Sequence, residues 1–342
     1  MTLNEIAKLA NVSASTVSRI LNSKDNSFAS EEVRNRVWDV IKSTGYVPNA
    51  AARNLRLKSN ARDTKANNSI ACIFAREKKT IENPFSPQVA RGIEQQALAM
   101  GYVMAYTFTA FDVENIVYGG RAMAESVDGM AIIGKFDDVI VDFFRSHTKN
   151  IVYVGLNRMD FDCDQVLCDG YDVGLCGMNY LIGQGHKRIA YLGITENDVR
   201  YDAYLQAQKA AGILVDSRLI INCVPNSDGG YNGTKTLLEN NPSPPDAIFC
   251  INDIIAIAAI KHLRDVGLKV PNDVSVIGID NIEMAQYISP MLTTVNIPKT
   301  EMGVTAAKIL IDRIEKGHKL PMKVLLPHEL VVRESVVRLG NR

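Results

Sequence analysis

Apolar positions recur at helical spacing through the first 45 residues, and from residue 69 onward they gather into short runs separated by helical stretches. The chain therefore predicts a small all-α unit followed by a larger α/β unit. Thr2 and Glu5 have the spacing of a capping box, and Ile6, Ala7 and Leu9 or Ala10 follow on one face, which predicts a helix ending near Asn11. Ser13 is placed to cap a second helix in which Val17, Ile20 and Leu21 fall at i, i+3 and i+4 and face inward. Ser15, Arg19 and Asn22 then share the outward face. Ser30, Glu31 and Glu32 open a third helix with Val33, Val37, Val40 and Ile41 at core spacing and Gly45 as its stop. Two short helices joined by a tight turn, with a third closing the core, read as a helix-turn-helix whose second helix is the recognition helix. Trp38 reads as packing at the edge of that core.

The segment PNAAARNL (48–55) has a capping Asn49 and alanines of high helix propensity, but it is too short to be stable alone. Residues 57–68, LKSNARDTKANN, are polar without apolar periodicity and read as a linker. The expected organisation is a helix-turn-helix domain at 1–46, a hinge helix and linker at 47–68, and a large domain at 69–342. In the last, strand-like runs at 70–74, 102–109, 130–133, 151–156, 188–194, 247–251 and 274–279 alternate with helical patterns. That alternation predicts doubly wound parallel sheets, which hold ligands beyond the carboxyl ends of their strands. Two sheets are needed to use all the strands, so two α/β subdomains facing across a cleft are expected.

The charge balance changes this picture. The 342 residues carry no net charge, yet residues 1–65 hold 11 Lys and Arg against 6 Asp and Glu, a net of +5, and the remainder holds 27 against 32. A basic end on an acidic body implies a DNA-facing module joined to a part that does not touch DNA. No run reaches the eighteen or so apolar residues of a membrane span, and MTLNEIAKLANVS lacks the features of a signal peptide, so a cytoplasmic protein is expected. Cys72, Cys163, Cys168, Cys176, Cys223 and Cys250 form no CxxC pair and read as small buried hydrophobes, with no metal and no cofactor expected.

The run LNEIAKLANVSASTVSRILN, followed by a third helix and GYVPNAAARNL, closely resembles the headpiece of the lac repressor/galactose repressor family. The resemblance continues through NPFSPQVARGIEQQA (83–97), YLIGQGHKRIAYLG (180–193), RYDAYLQAQKAAGI (200–213), the stretch at 249–281 and LTTVNIP (292–298). It implies a repressor that binds a palindromic operator as a dimer, with a body folded like periplasmic sugar-binding proteins. Three chain crossings between subdomains are implied near 156–160, 289–292 and 320. It places base contacts at Ala14, Ser15 and Arg19, with Arg19 able to donate twice to a guanine and Ala14 able to touch a thymine methyl. Thr16 and Ser18 fall at the flanks, where hydroxyls meet phosphate, and Asn22 shares the outward face. Leu55 matches a leucine that wedges into the minor groove, with Ala52 beside it. Effector contacts are implied at Phe85, Asn157, Arg200, Asn252, Asp253 and Asp280. This donor set suits a sugar, although sugar-binding members often have aspartate where Asn157 stands.

Structural roles compete at some of these positions. Asp253 opens a helix, Arg200 and Asp280 could pair with each other in the empty protein, and His186 reads as a turn residue. An enzyme is disfavoured because GxGxxG after a strand, a Walker loop, GxSxG and HExxH are all missing and the five histidines are scattered. A transport binding protein is disfavoured by the basic headpiece. The expected effector is a sugar inducer that releases DNA by shifting a conformational equilibrium. The alternative is a corepressor-dependent regulator or activator sensing a purine or a sugar phosphate. The end of the chain soon after LVVRES, without a heptad tail, favours a dimer over a tetramer.

Overall fold

The computed structural model of the chain describes residues 3–13, 15–17, 20, 29–44, 68–74, 84–109, 127–134, 142, 144–146 and 148–340. The chain divides into two compact units, Met1–Lys65 and Ala66–Arg342. In the first, α1 (Leu3–Leu9) and α2 (Glu31–Thr44) flank a helical segment that contains residues 15–17. Ile6, Ala7, Ala10, Val17, Ile20 and Val37 are buried together, with Val12, Ala29, Val33 and Val40 against them. The inward face read from the sequence is thus the core. Ser13 caps as its position predicts, its hydroxyl accepting the Thr16 N–H at 3.1 Å, and Ser30 does the same for Val33 at 3.4 Å. Thr2, Leu21 and Gly45, and the side chains of Glu5, Trp38 and Ile41, lie outside the described residues.

The second unit contains two sheets, each of six strands among the described residues. The first is formed by β1 (Ser69–Phe74), β2 (Val103–Thr109), β3 (Gly129–Ile133), β4 (Ile151–Gly155), β5 (Asp164–Leu167) and β11 (Lys323–Leu325), in the order β11-β5-β4-β3-β1-β2. The second has β6 (Ile189–Gly193), β7 (Ile220–Asn222), β8 (Ala247–Cys250), β9 (Ser275–Asp280), β10 (Thr293–Asn296) and β12 (Glu329–Val331), in the order β12-β10-β9-β8-β6-β7. The sheets are parallel, as expected, apart from one edge, where β10 and β12 pair antiparallel. Ile70 and Cys72 face one core cluster while Ala71 and Ile73 face another, so β1 is covered on both sides, as parallel strands require.

The helices are α3 (Phe85–Ala99), α4 (Gly170–Gly183), α5 (Val199–Ala210), α6 (Ser227–Glu239), α7 (Asp253–Asp265) and α8 (Lys299–Ile314). α8 packs on β3, β4 and β5 and lies against α3. The approach of these two helices depends on Gly92 and Gly303. A Cβ on Gly303 would stand 2.1 Å from the Val89 carbonyl oxygen, and one on Gly92 would stand 2.5 Å from that of Thr300.

The chain passes between the sheets at 168–169, at 297–298 and at 326–328, after β5, β10 and β11 respectively. The crossings expected near 156–160, 289–292 and 320 are corrected, each by the same fault: it stood one strand too early. β5 is DQVL, whose buried Asp164 and Gln165 break the apolar run, β10 is TTVN, and β11 is only three residues. All six cysteines are free thiols, buried or partly buried, and burial pushes Cys72 up to about 12. Among the described residues no helix is long and apolar enough to cross a membrane.

Candidate functional site

In the N-terminal unit the structure describes two of the eight residues expected to meet DNA. Ser15 is exposed and Thr16 partly so, and the Ser13 hydroxyl lies 2.7 Å from that of Ser15 and 2.8 Å from that of Thr16. Ala14, Ser18, Arg19, Asn22, Ala52 and Leu55 lie outside the described residues.

In the body, all six expected effector residues follow the carboxyl ends of strands, the position at which open α/β sheets hold ligands. Phe85 opens α3 after β1, and Asn157 follows β4. Arg200 lies in the first turn of α5 after β6, Asn252 and Asp253 join β8 to α7, and Asp280 ends β9. Phe85 and Asn157 therefore belong to the first sheet's half and the other four to the second's. The Oδ1 of Asn157 is buried without a hydrogen-bond partner among the described residues, an arrangement that leaves an acceptor for a ligand or a water.

Arg200 does not pair with Asp280. Its guanidinium grips Asp198, the residue capping its own helix, at 2.9 Å through Nε and 2.6 Å through Nη2, and Nη1 donates to the Ile251 carbonyl at 2.8 Å. The carboxylate two positions away holds the fork before Asp280, two strands across the sheet at the end of β9, can, although Asp280 remains within electrostatic reach. The D-x-R spacing at the start of α5 was the visible but unused signal for this pair.

The two residues after β8 have separate structural roles. Asn252 caps α7, its Oδ1 accepting the Ile255 N–H at 2.8 Å, while its Nδ2 reaches the Pro225 carbonyl at 3.3 Å. Asp253 is fully buried, and both its oxygens are engaged: Thr294 donates to Oδ1 at 2.6 Å and the Ile282 N–H to Oδ2 at 2.8 Å. It joins α7, β9 and β10. It sits so close to Gly278 that a Cβ there would meet Oδ1 at 2.2 Å. Burial raises its pKa, and the charge of Asp280 adds to the rise.

Asp280 is 3% exposed, and burial raises its carboxyl to about 6 against the opposing pull of Lys299 and Arg200. Lys299 is a charged residue beside Asp280 that the sequence reading missed. Although it opens α8, its ammonium reaches back to donate to the Asp280 carbonyl and to the Ile297 carbonyl at 3.3 Å. A lysine in the first turn of a helix opposes the helix dipole, and that mismatch was the available signal.

An open groove of about 450 Å³ lies elsewhere, on the outer edge of the first sheet, between α3 and β2. Pro87, Ala90, Arg91 and Glu94 line it from the helix and Met104 from the strand, and the exposed Leu98 continues the same helical face. Among the described residues no cluster of His, Cys, Asp and Glu could hold a metal ion.

Comparison with known proteins matches residues 2–49 to the model for bacterial regulatory proteins of the lacI family and residues 178–336 to that for a periplasmic binding protein-like domain. The HTH-type transcriptional repressor PurR of Actinobacillus pleuropneumoniae is 31% identical, with 99% of each chain covered. Its counterpart from Erwinia tasmaniensis is 31% identical over 98% of this chain and 96% of its own. Among solved structures, a complex of the transcriptional regulator CelR with cellobiose is 29% identical, with 98% of this chain and 99% of that chain covered and a TM-score of 0.71. A LacI family regulator from Enterococcus faecium with bound ribose is 27% identical, with 79% of this chain and 99% of that one covered and a TM-score of 0.67.

Proposed function

The chain belongs to the lacI family of bacterial regulatory proteins, and from that premise we propose that a neutral carbohydrate, bound between its two sheets, sets its affinity for operator DNA. The protein is a transcriptional repressor with a DNA-binding headpiece and an effector-binding body, and it is not an enzyme. DNA contacts are assigned to Ala14, Ser15, Thr16, Ser18, Arg19 and Asn22 on the recognition helix and to Ala52 and Leu55 in the hinge. The boundaries of these parts are 1–46 for the headpiece, 47–68 for the hinge and 69–342 for the body.

The observation that carries the carbohydrate reading is charge balance. Asp198 neutralises Arg200, and the Lys299 ammonium is taken up by the Asp280 and Ile297 carbonyls with the Asp280 charge in electrostatic reach, so a phosphate or carboxylate would find no free cation there and would meet the Asp280 carboxylate. What the site offers is hydroxyl chemistry: the carboxylate of Asp280, the unpartnered oxygen of Asn157 and the guanidinium N–H groups of Arg200 not used by Asp198 or Ile251. Phe85 supplies a partly buried ring for an apolar face. The regulators in complex with cellobiose and with ribose support the same class. Sugar binding favours release from DNA.

A thermal-shift screen against cellobiose, ribose, other neutral sugars, their phosphates, nucleosides and purine bases tests this. A neutral sugar at about a hundred times its Kd adds about 2.7 kcal/mol, a clear rise in Tm. A response confined to sugar phosphates or purines would overturn the carbohydrate reading and leave the DNA-binding assignment standing.

Two results follow from the site's charges. Asp280 accepts from sugar hydroxyls through both oxygens, in strong charge-assisted bonds, only when ionised, so affinity for the responding sugar is expected to fall by up to about tenfold between about pH 7 and about pH 5, measured by calorimetry. Asp198→Asn leaves Arg200 without its neutralising partner. It is expected to improve binding of the corresponding sugar phosphate roughly tenfold or more, because hydrogen bonds to charged groups contribute about 1.5–3 kcal/mol. Unchanged selectivity in that variant would show that the pair does not set the ligand's charge.

The protein acts as a dimer, and the groove between α3 and β2 is the surface assigned to a second copy. Leu98 on α3 and Val103 on the edge strand β2, exposed by 67% and 48%, add apolar surface beside the groove, and the unpaired backbone of an edge strand invites a partner. Leu98→Glu is expected to shift the protein toward monomer in sedimentation at micromolar concentration. A sedimentation profile identical to that of the parent would assign the dimer contact to another surface.

A further inference from the structure

The placement of Lys299 is costly on several counts. It is 5% exposed, its cation lies in the first turn of a helix whose N-terminal end is already positive, and Pro298 before it provides no side-chain cap. No carboxylate lies within ion-pair distance of it among the described residues, and its ammonium is instead held by the carbonyls of Asp280 and Ile297. A buried cation needs such donors and acceptors to be arranged for it.

The peptide it holds is unusual as well. Asp280 has φ 111° and Asn281 has φ 50°, so two successive non-glycine residues at the end of β9 have left-handed backbone. Such geometry persists where surrounding contacts over-determine it. Here they come from several elements. Lys299 takes the Asp280 carbonyl, Thr294 accepts the Asn281 N–H at 3.3 Å, Asp253 accepts the Ile282 N–H, and Arg333 donates to the Asn281 side chain at 2.7 Å.

The contact from Lys299 differs from the other three, because α8 packs on β3, β4 and β5 of the first sheet whereas Asp253, Thr294 and Arg333 belong to the second sheet's half. Lys299 directly follows the crossing at 297–298. It also lies within electrostatic reach of Cys168, in the crossing at 168–169, which feels Asp280 too. One crossing therefore meets the Asp280 peptide directly through this ammonium group, and a second lies within its electrostatic reach.

We infer that Lys299 is a positioning residue that ties the strained Asp280 peptide to the crossing before α8, so that the effector site and the relative placement of the two sheets move as one element. The assignment of Asp280 to an effector rests on the carbohydrate reading above, whereas the tie itself does not. Ligand binding at the Asp280 carboxylate shifts the peptide whose carbonyl Lys299 grips, and the shift reaches α8 without passing through loop contacts.

Hydrogen exchange of the ligand-free, full-length protein tests the tie without knowledge of the effector. Lys299→Met keeps length and apolar stem but removes the donors, and is expected to speed exchange about tenfold or more in peptides covering 280–285 and 299–303 together, while strand 189–193 keeps its parental rate. Lys299→Arg, which retains donors, is expected to restore most of the protection. Asp280→Asn keeps the carbonyl and is expected to leave both peptides protected. Protection unchanged in Lys299→Met would overturn the inference. So would faster exchange throughout the body in Lys299→Met and Lys299→Arg alike, which would make the lysine a packing residue only. A sugar panel without any response would remove the carbohydrate reading and leave this exchange pattern as it stands.

Discussion

Asp164→Ala is expected to lower the stability of the body by about 3–5 kcal/mol, the usual loss when one partner of a buried ion pair is removed. Asp164 has no exposed surface, and Arg313, at the end of α8, meets it with Nε and, at 2.7 Å, with Nη2. The Met322 N–H and His318 Nε2 approach the same carboxylate at 2.8 Å and 3.0 Å. His318 also contacts Asp312 through its other ring nitrogen. Removing the carboxylate leaves a largely buried guanidinium with no counter-charge and releases the segment that leads into β11.

The variant that separates charge burial from shape is the double substitution Asp164→Val with Arg313→Met, which is expected to lose less than either single change because no uncompensated charge remains. Urea unfolding of all four proteins measures the coupling. Equal losses in the double and single variants would show that packing, not charge, holds this corner. The pairing also fixes a pH dependence. Burial works against the Asp164 charge, yet Arg313, Met322 and His318 together hold its pKa below the ordinary carboxylate value. Its contribution to stability is therefore present above that ordinary value and is lost as pH falls through the lowered one. His318 is raised, first by its contact with Asp312, so its contribution is present in acid and is lost as pH rises through its folded pKa.

The same corner shows why part of this fold was legible in the sequence and part was not. Strands that are apolar on both faces, such as IVYVG and AIFC, announce themselves, and their predicted limits agree with the structure within one or two residues. β5 is as deeply buried, but Asp164 and Gln165 are held there by Arg313 and by the Met159 backbone, and these partners come from sequence positions no local pattern connects. With β5, β10 and β11 unseen, every crossing was placed one strand early. The residues proposed for the effector came from the family resemblance, and their places at or after the carboxyl ends of strands agree with a rule of topology. How Arg200 and Asp253 are engaged was not legible, since that depends on which neighbour reaches each polar group first: Asp198 for Arg200, Thr294 and the Ile282 amide for Asp253. Most of the described headpiece core was legible, because one amphipathic face per helix determines it, while Val12 and Ala29, which pack against it from outside those faces, were not read.

Gly303→Val is expected to be as damaging as the loss of Asp164, with a stability decrease of about 3 kcal/mol, at the upper end of what overpacking usually costs. Its Cβ alone would stand 2.1 Å from the Val89 carbonyl oxygen, 2.9 Å from the Ile93 nitrogen and 3.0 Å from the Cα of Gly92. These are backbone atoms of α3, so no rotamer change can make room, and α3 and α8 must separate. The reciprocal contact at Gly92, 2.5 Å from the Thr300 carbonyl oxygen, means that the pair of glycines sets one distance. That distance also fixes where α8 begins, and hence where Lys299 stands relative to Asp280. Gly303→Ala, with the smaller added group, is expected to lose about 1–2 kcal/mol. Chemical denaturation that gives a lower midpoint with an unchanged slope would show the loss in the folded state. Parental midpoints for both variants would mean that α3 and α8 do not approach as closely as this geometry requires.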